Sequence, residues 1–373
     1  MNIFFPIHTF YPSQTGGPCN SVYAITKELS LLGHKIYILT TNIGIEKNKV
    51  KLNKFYKNKA GITYYDDSVS YLKWLKLMIY LLKRVDAIHI TSVFSPFSVF
   101  CFLITVIFFP HKKIILSPRG ELSEKALIYN QKKKKYVLKM YKFFRKNIYF
   151  HATCEEEKNE VKFIFPDNEV EIIPNYLILN PRENIQKKKN FLYLGRIHHK
   201  KSIHKIIEGF NKSQYFRNSD FVFNIVGIPE EKGQEYYEGL IDLVNKFKLE
   251  HKIHFLGFKE GRDKEIIFAE SYFMMMLSEN ENFGNVVVES LNQGTPVISS
   301  KGAPWEILEK ENAGYFIENS PEEIAKYIDK CIVLNTQDYN QMCQNAYNLS
   351  KNKFDIQNRI VDWEIFYQKV IND

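Results

Sequence analysis

Short runs of β-branched or aromatic residues alternate with stretches of helical apolar spacing along the whole chain, and the series restarts once, after a polar break. No other feature constrains the fold as much, because this alternation is the pattern of parallel sheets wound by crossover helices. In the first series, strands are expected at residues 2–8, 35–41, 62–66, 87–92, 113–117, 149–153 and 170–174. The break is "NPRENIQKKKN", residues 180–190, which has no apolar period and reads as an interdomain linker. Strands of the second series are expected at 191–196, 221–226, 253–258, 271–277, 296–300 and 314–317. The expectation is therefore an α/β protein with two doubly wound domains, 1–180 and 181–354. A last helix over 355–373 carries Ile360, Trp363, Phe366 and Tyr367 on one helical period. A length of 373 residues agrees, since a single core seldom grows so large. Ligands of such sheets bind beyond the carboxyl ends of the strands, so the loops there are where chemistry is sought.

Composition narrows the classes. The five cysteines have neither paired nor metal-type spacing, which argues against a disulfide framework or a zinc site and for a reducing, cytoplasmic setting. The start, "MNIFFPIHTFYPSQTGG", reads as a first strand and not an export signal. The apolar run at 98–110 is shorter than the ~20 residues that span a bilayer and ends in proline. Net charge is +9 and uneven: residues 1–180 hold 26 Lys plus Arg against 14 Asp plus Glu, the remainder 25 against 28. Much of the excess lies in "YLKWLKLMIYLLKR" (71–84) and "NQKKKKYVLKMYKFFRKN" (130–147), where lysines interleave with aromatic and aliphatic residues. Basic amphipathic helices of this kind suit a membrane surface, and a solvated lysine face is the plainer alternative.

Three constellations carry chemistry. In "ENENFGNVVVESLNQGTPVISS" (279–300), Glu281 and Glu289 have seven residues between them, around a turn at Gly284 and the start of a crossover helix at Asn285. Asn285, Glu289 and Asn292 share a polar stripe on that helix, Val287 and Leu291 lie opposite, and Glu281 precedes it in the strand-end loop. The helix start, led by Phe283, Gly284, Asn285 and Val286, offers backbone N–H groups to an anion such as a diphosphate. Carboxylates beside an anion suit sugar hydroxyls, to which they act as acceptors. In "LYLGRIHHKKSI" (192–203), Arg196 and Lys201 at a strand end are placed to neutralise phosphates. In "YPSQTGGPCNSVYAITKEL", Gly16 and Gly17 let backbone approach a phosphate or sugar. That loop is not G-x-G-x-x-G, which disfavours a dehydrogenase. No D-x-D, H-E-x-x-H or G-x-S-x-G motif occurs, and His198, His199 and His204 read as a solvated basic turn and not a metal cluster.

Together these residues, with "DAIHITS", "SPRGELSEKAL", "HATCEEE", "IIPN" and "GAPWEIL", resemble the retaining nucleotide-sugar glycosyltransferases of family 4. The resemblance covers nearly the whole chain, and the acid pair matches that family's E-x7-E motif. "SPRG" with "GAPWE" is similar to a branch found among bacterial surface-polysaccharide enzymes. It implies the GT-B fold, two Rossmann-like domains facing across a cleft, with the last helix crossing back to the first domain. It implies that Arg196 and Lys201 hold the donor diphosphate. Glu281 would bind the transferred sugar with the Asn282, Phe283 and Gly284 turn, and Glu289 the ribose. Gly257 and Phe258 would lie against the base, and the Gly16–Gly17 loop would close over the donor. Arg119 stands where many members have histidine and is a candidate for phosphate or acceptor. His89 and His151, at strand ends, are candidate acceptor contacts, beside the alternative of core histidines. Ser202 stands where the Arg/Lys motif usually continues with glycine, a change that permits a helix cap.

The implied activity is sugar transfer from a UDP- or GDP-sugar, without a metal, to a lipid-linked glycan acceptor in bacterial surface polysaccharide synthesis. The implied setting is the inner face of the cytoplasmic membrane. Alternatives are a GT-B protein that binds or epimerises a nucleotide sugar without transfer, and a basic nucleic-acid-binding protein, which is disfavoured.

Overall fold

The computed structural model describes residues 1–13, 17–68, 70–128, 130–230 and 233–373. It divides into two compact units, Met1–Ile178 with Asp355–Asp373, and Leu179–Phe354.

The first unit contains β1 (Asn2–Pro6), α1 (Gly17–Leu31), β2 (Lys35–Thr41), β3 (Phe55–Asn58), β4 (Gly61–Asp66), α2 (Tyr71–Leu82) and β5 (Ala87–Thr91). It continues through α3 (Pro96–Phe108), β6 (Lys113–Ser117), α4 (Glu124–Ile128), α5 (Gln131–Phe143), β7 (Ile148–Ala152), α6 (Glu155–Ile164) and β8 (Val170–Ile172). The sheet order is β3-β4-β2-β1-β5-β6-β7-β8. The β3–β4 pair is antiparallel and the other pairings are parallel. The strands β5 and β7 are buried at every residue, as expected of a parallel sheet covered on both faces. The edge strand β3 was not expected, because "FYKN" is too short and polar to show a strand pattern.

The second unit contains β9 (Asn190–Leu194), α7 (Ile203–Lys212), β10 (Val222–Val226), α8 (Gln234–Lys246), β11 (Ile253–Phe255), α9 (Gly261–Glu270) and β12 (Phe273–Met276). There follow α10 (Asn285–Asn292), β13 (Val297–Ser300), α11 (Ile307–Lys310), β14 (Gly314–Ile317), α12 (Pro321–Ile332) and α13 (Thr336–Leu349). Its order, β11-β10-β9-β12-β13-β14, is parallel throughout. The strand sequence runs outward from β9 to β11 and then restarts on the other side of β9, which makes the β9/β12 border the topological switch point.

The last helix, α14 (Ile356–Asn372), belongs to the first unit. Its Asp355 cap accepts from the Gln357 N–H at 3.2 Å. Trp363, Phe366, Tyr367 and Val370 are buried in one cluster with Phe5, Ile36 and Ile38, the helical period read from the sequence. Fully burying side chains of this size stabilises by roughly 1.5–3 kcal/mol each.

Residues 180–190 form a strap on the second unit and not a free linker. Asn180 donates to Glu265 at 2.9 Å, the Glu183 N–H to Gln293 at 2.8 Å and the Lys188 N–H to the Glu270 carbonyl at 2.7 Å. Burial of Lys187 pushes its ammonium down to about 7. The polarity of this stretch serves internal hydrogen bonds, which composition cannot distinguish from solvation.

Candidate functional site

The loops leaving β9 and β12 diverge at the switch point, and they carry Arg196, Lys201 and Glu281. After β9, the Tyr193 hydroxyl donates to the Arg196 carbonyl at 2.7 Å and fixes the turn. A short 3-10 turn, His199–Lys201, delivers Lys201, and Ser202 then takes φ +53°. This left-handed conformation explains why glycine suits that position. The Ser202 side chain does not use the permitted cap of α7; its hydroxyl accepts from Asn319 at 3.1 Å.

The loop from β12 to α10 is held from the β13 side. Ser300 donates to the Ser278 carbonyl at 2.5 Å, and the Glu281 N–H donates to the Gly302 carbonyl at 2.8 Å. A Cβ on Gly302 would meet the Ser278 carbonyl oxygen at 2.4 Å and that of Glu279 at 2.7 Å, so glycine lets the two loops touch. The Trp305 indole N–H donates to the Phe283 carbonyl. The Phe283 ring is buried against Trp305 and Phe354, at centroid distances of 5.1 and 5.8 Å. Gly284 takes φ +80° at the head of α10. The aromatic side chain of this turn therefore anchors it. Within α10, Val287 and Leu291 are buried as the stripe predicts, and Asn292 is buried too, donating to the Asn180 carbonyl at 2.8 Å. Asn292 thus leaves the polar stripe for the strap.

Each expected acid meets a cation. Lys201 donates to Glu281, with side chains 22% and 19% exposed. Glu289 pairs with Lys264 of α9 at 2.8 Å, with similar exposure. Burial opposes the charge on Lys264, but Glu289 outweighs it and holds the ammonium above its ordinary range. Arg196 lies in the open and pairs with Glu230 at 2.6 Å. Lys264, Glu230, Gly302 and Trp305 escaped sequence reasoning; the last two lie in the "GAPWE" stretch, which was the available signal. Asn282, Asn285 and Val286 lie at the same turn and helix start. Gly257 and Phe258 follow the edge strand β11, where the Gly257 carbonyl accepts from the Gly227 N–H at 2.9 Å and the Phe258 ring is exposed. Among the described residues no group of three His, Cys, Asp or Glu side chains could hold a metal ion.

In the first unit Gly16 lies outside the described residues, and Gly17 opens α1. His89 and His151 are core histidines, not open strand-end groups. They are 0% and 1% exposed, and both ring nitrogens of each are engaged. His89 bonds to Tyr367 and Ser117 at 2.7 Å each, and His151 to Ser117 and the Ile173 carbonyl at 2.8 Å each. No atom remains for an acceptor. Arg119 takes φ +57° and donates through Nη1 to Asn175. Its Nε and Nη2 are buried without a hydrogen-bond partner, and burial lowers its pKa.

Residues 178–349 match the family described as glycosyl transferases group 1. The matched stretch, nearly the whole of the second unit, is thus similar to the group 1 glycosyltransferases, of the family 4 type. An uncharacterized glycosyltransferase of Methanocaldococcus jannaschii is 29% identical over 197 residues, 47% of this chain and 48% of the relative. A lipopolysaccharide core biosynthesis glycosyltransferase of Rhizobium meliloti is 27% identical over 145 residues, 38% of this chain and 39% of that protein. The chain thus spans about half or less of the length of these curated relatives. The solved structure of Anabaena HepE in complex with UDP and glucose has 17% identity and a TM-score of 0.77, covering 98% of this chain and 100% of that one. The likeness shows the fold, GT-B with two Rossmann-like units. Arg196, Lys201 and Glu281 of the switch-point loops and Glu289 of α10 all fall inside the matched stretch.

Proposed function

We propose that the protein is a retaining glycosyltransferase that moves a sugar from a UDP- or GDP-sugar to a lipid-linked glycan acceptor in bacterial surface polysaccharide synthesis. The observation that carries this reading is the meeting of Lys201, Glu281 and the amino end of α10 at the switch point. Arg196, Lys201 and the α10 N–H groups bind the donor diphosphate and stabilise it as it leaves, and Glu281 accepts hydroxyls of the transferred sugar. Glu289 takes the ribose, and the loop of Gly257 and Phe258 takes the base. Glu281 orients the sugar and does not serve as a general base, because the departing phosphate assists the acceptor's deprotonation on the same face. Positive charge comes from protein groups, so turnover is expected to persist in EDTA. UDP in the HepE complex and the lipopolysaccharide role named for the Rhizobium protein support the substrate classes.

The acceptor is reached, in this reading, at the cytoplasmic face of the membrane. The helices α2 and α5 contain no acidic residue, and their exposed surfaces include Leu72, Tyr136 and Phe143 among the lysines. Among the described residues no helix is long and apolar enough to cross a membrane.

The test is nucleotide release from UDP- and GDP-sugars with acceptor lipid extract, by wild type and by Lys201→Ala and Glu281→Ala. Loss of an electrostatic contact at the leaving group costs about 10²–10³ in turnover. Variants within a few-fold of wild type would remove this loop pair from the active site.

A further inference from the structure

Glu289 and Lys264 form an ion pair that the sequence did not disclose, with about four-fifths of each side chain covered. Such a pair gives up hydration on both partners and adds stability only if its remaining polar atoms are used. Lys264 stands in the first turn of α9, straight after the loop that carries Gly257 and Phe258. The next residue, Glu265, is buried and accepts from Gln293 at 2.8 Å and from Asn180 at 2.9 Å. This locks α9 to the end of α10, so the Lys264 ammonium has a fixed origin. It donates to Oε1 of Glu289 at 2.8 Å, and a carboxylate has acceptor sites beyond that one. A carboxylate held this way is set for two adjacent O–H groups, and the ordering cost of its torsions is met before any ligand arrives.

On the reading of this unit as a nucleotide-sugar site, we propose that Lys264 is a positioning residue that holds Glu289 for the vicinal hydroxyls of the donor's ribose, making the site select ribonucleotides over deoxyribonucleotides.

The experiment is calorimetric titration of the full chain with UDP, GDP and their 2′-deoxy counterparts. Wild type is expected to prefer the ribonucleotide by about tenfold or more, the scale of one hydrogen bond to a charged group. Lys264→Met is expected to lose about tenfold for the ribonucleotide and little for the deoxy form, bringing the preference to within about threefold. Lys264→Arg should restore most of it. A Lys264→Met protein that weakens both forms equally, with the preference intact, overturns the assignment and leaves the donor reading standing. A wild type that binds none of the four nucleotides overturns both.

Discussion

Ser117 joins two histidines that water does not reach, and one carbonyl sets the direction of the whole chain. The Ile173 carbonyl can only accept, so His151 donates to it from Nε2 and accepts at Nδ1 from the Ser117 hydroxyl. Ser117 must then accept from Nε2 of His89, whose Nδ1 accepts from Tyr367. Both rings are neutral in this arrangement, and burial, with Arg119 adding to it, holds both pKa values well below the ordinary histidine range. Since the folded values are depressed, the unfolded chain binds more protons below pH ~6.5. Stability is therefore complete above that pH and is lost as pH falls, by up to about 1.4 kcal/mol per pH unit for each histidine. Denaturant unfolding between pH 7 and 5 should show this slope, and His151→Gln should flatten it by one proton; an equal slope would clear His151. Sequence placed these histidines correctly on β5 and β7 but could not show that α14, some two hundred residues later, covers them. The same limit hid Lys264, whose partner is chosen by the packing of α9 on α10.

At the scale of elements, the ends of the strands were harder to read than their existence. The expected spans of β2, β6 and β14 match the structure, whereas the strand expected at 253–258 stops at Phe255. Apolar character continues past the carboxyl end of β11 into a loop containing Leu256 and Phe258, and residue pattern alone does not mark where sheet pairing stops. The acid-bearing turn was legible because Gly284 and the valine run give it a strand, a turn and a helix in order. Its support from Gly302 was not legible, since that contact joins loops from neighbouring strands. Adding a methyl at Gly302 presses on two carbonyls that cannot yield without moving the Glu281 loop. Gly302→Ala is thus expected to lose about 1–3 kcal/mol of stability and to weaken nucleotide-sugar binding, both read by denaturant melts with and without donor. At Gly284 a Cβ would press chiefly on the Met276 sulfur, at 2.5 Å, and the φ of +80° would strain an alanine there as well.

For the whole molecule, the charge imbalance between the halves of the chain now has a location, the helices α2 and α5 of the first unit. Each lysine near an anionic bilayer contributes about 1 kcal/mol, so replacing the four at 132–135 with glutamine should reduce vesicle binding by well over tenfold. Flotation with phosphatidylglycerol vesicles at two salt concentrations reads this. Binding that ignores both the lysines and the anionic lipid would refute the membrane reading. The two-unit organisation was legible as a restart of the strand series, but the ownership of residues 180–190 was not, because it depends on partners in α9 and α10.

The discontinuity of the first unit has a consequence in time. Its sheet is completed by residue 172, yet the helix that covers β5 and β7 is the last element in the chain. On the ribosome every residue of the second unit emerges before α14 does. Until then Phe5, Ile36 and Ile38 lack their covering layer and His89 lacks the Tyr367 hydroxyl. The nascent protein thus carries an open apolar flank through the synthesis of its entire second half, and the final helix ends that exposure.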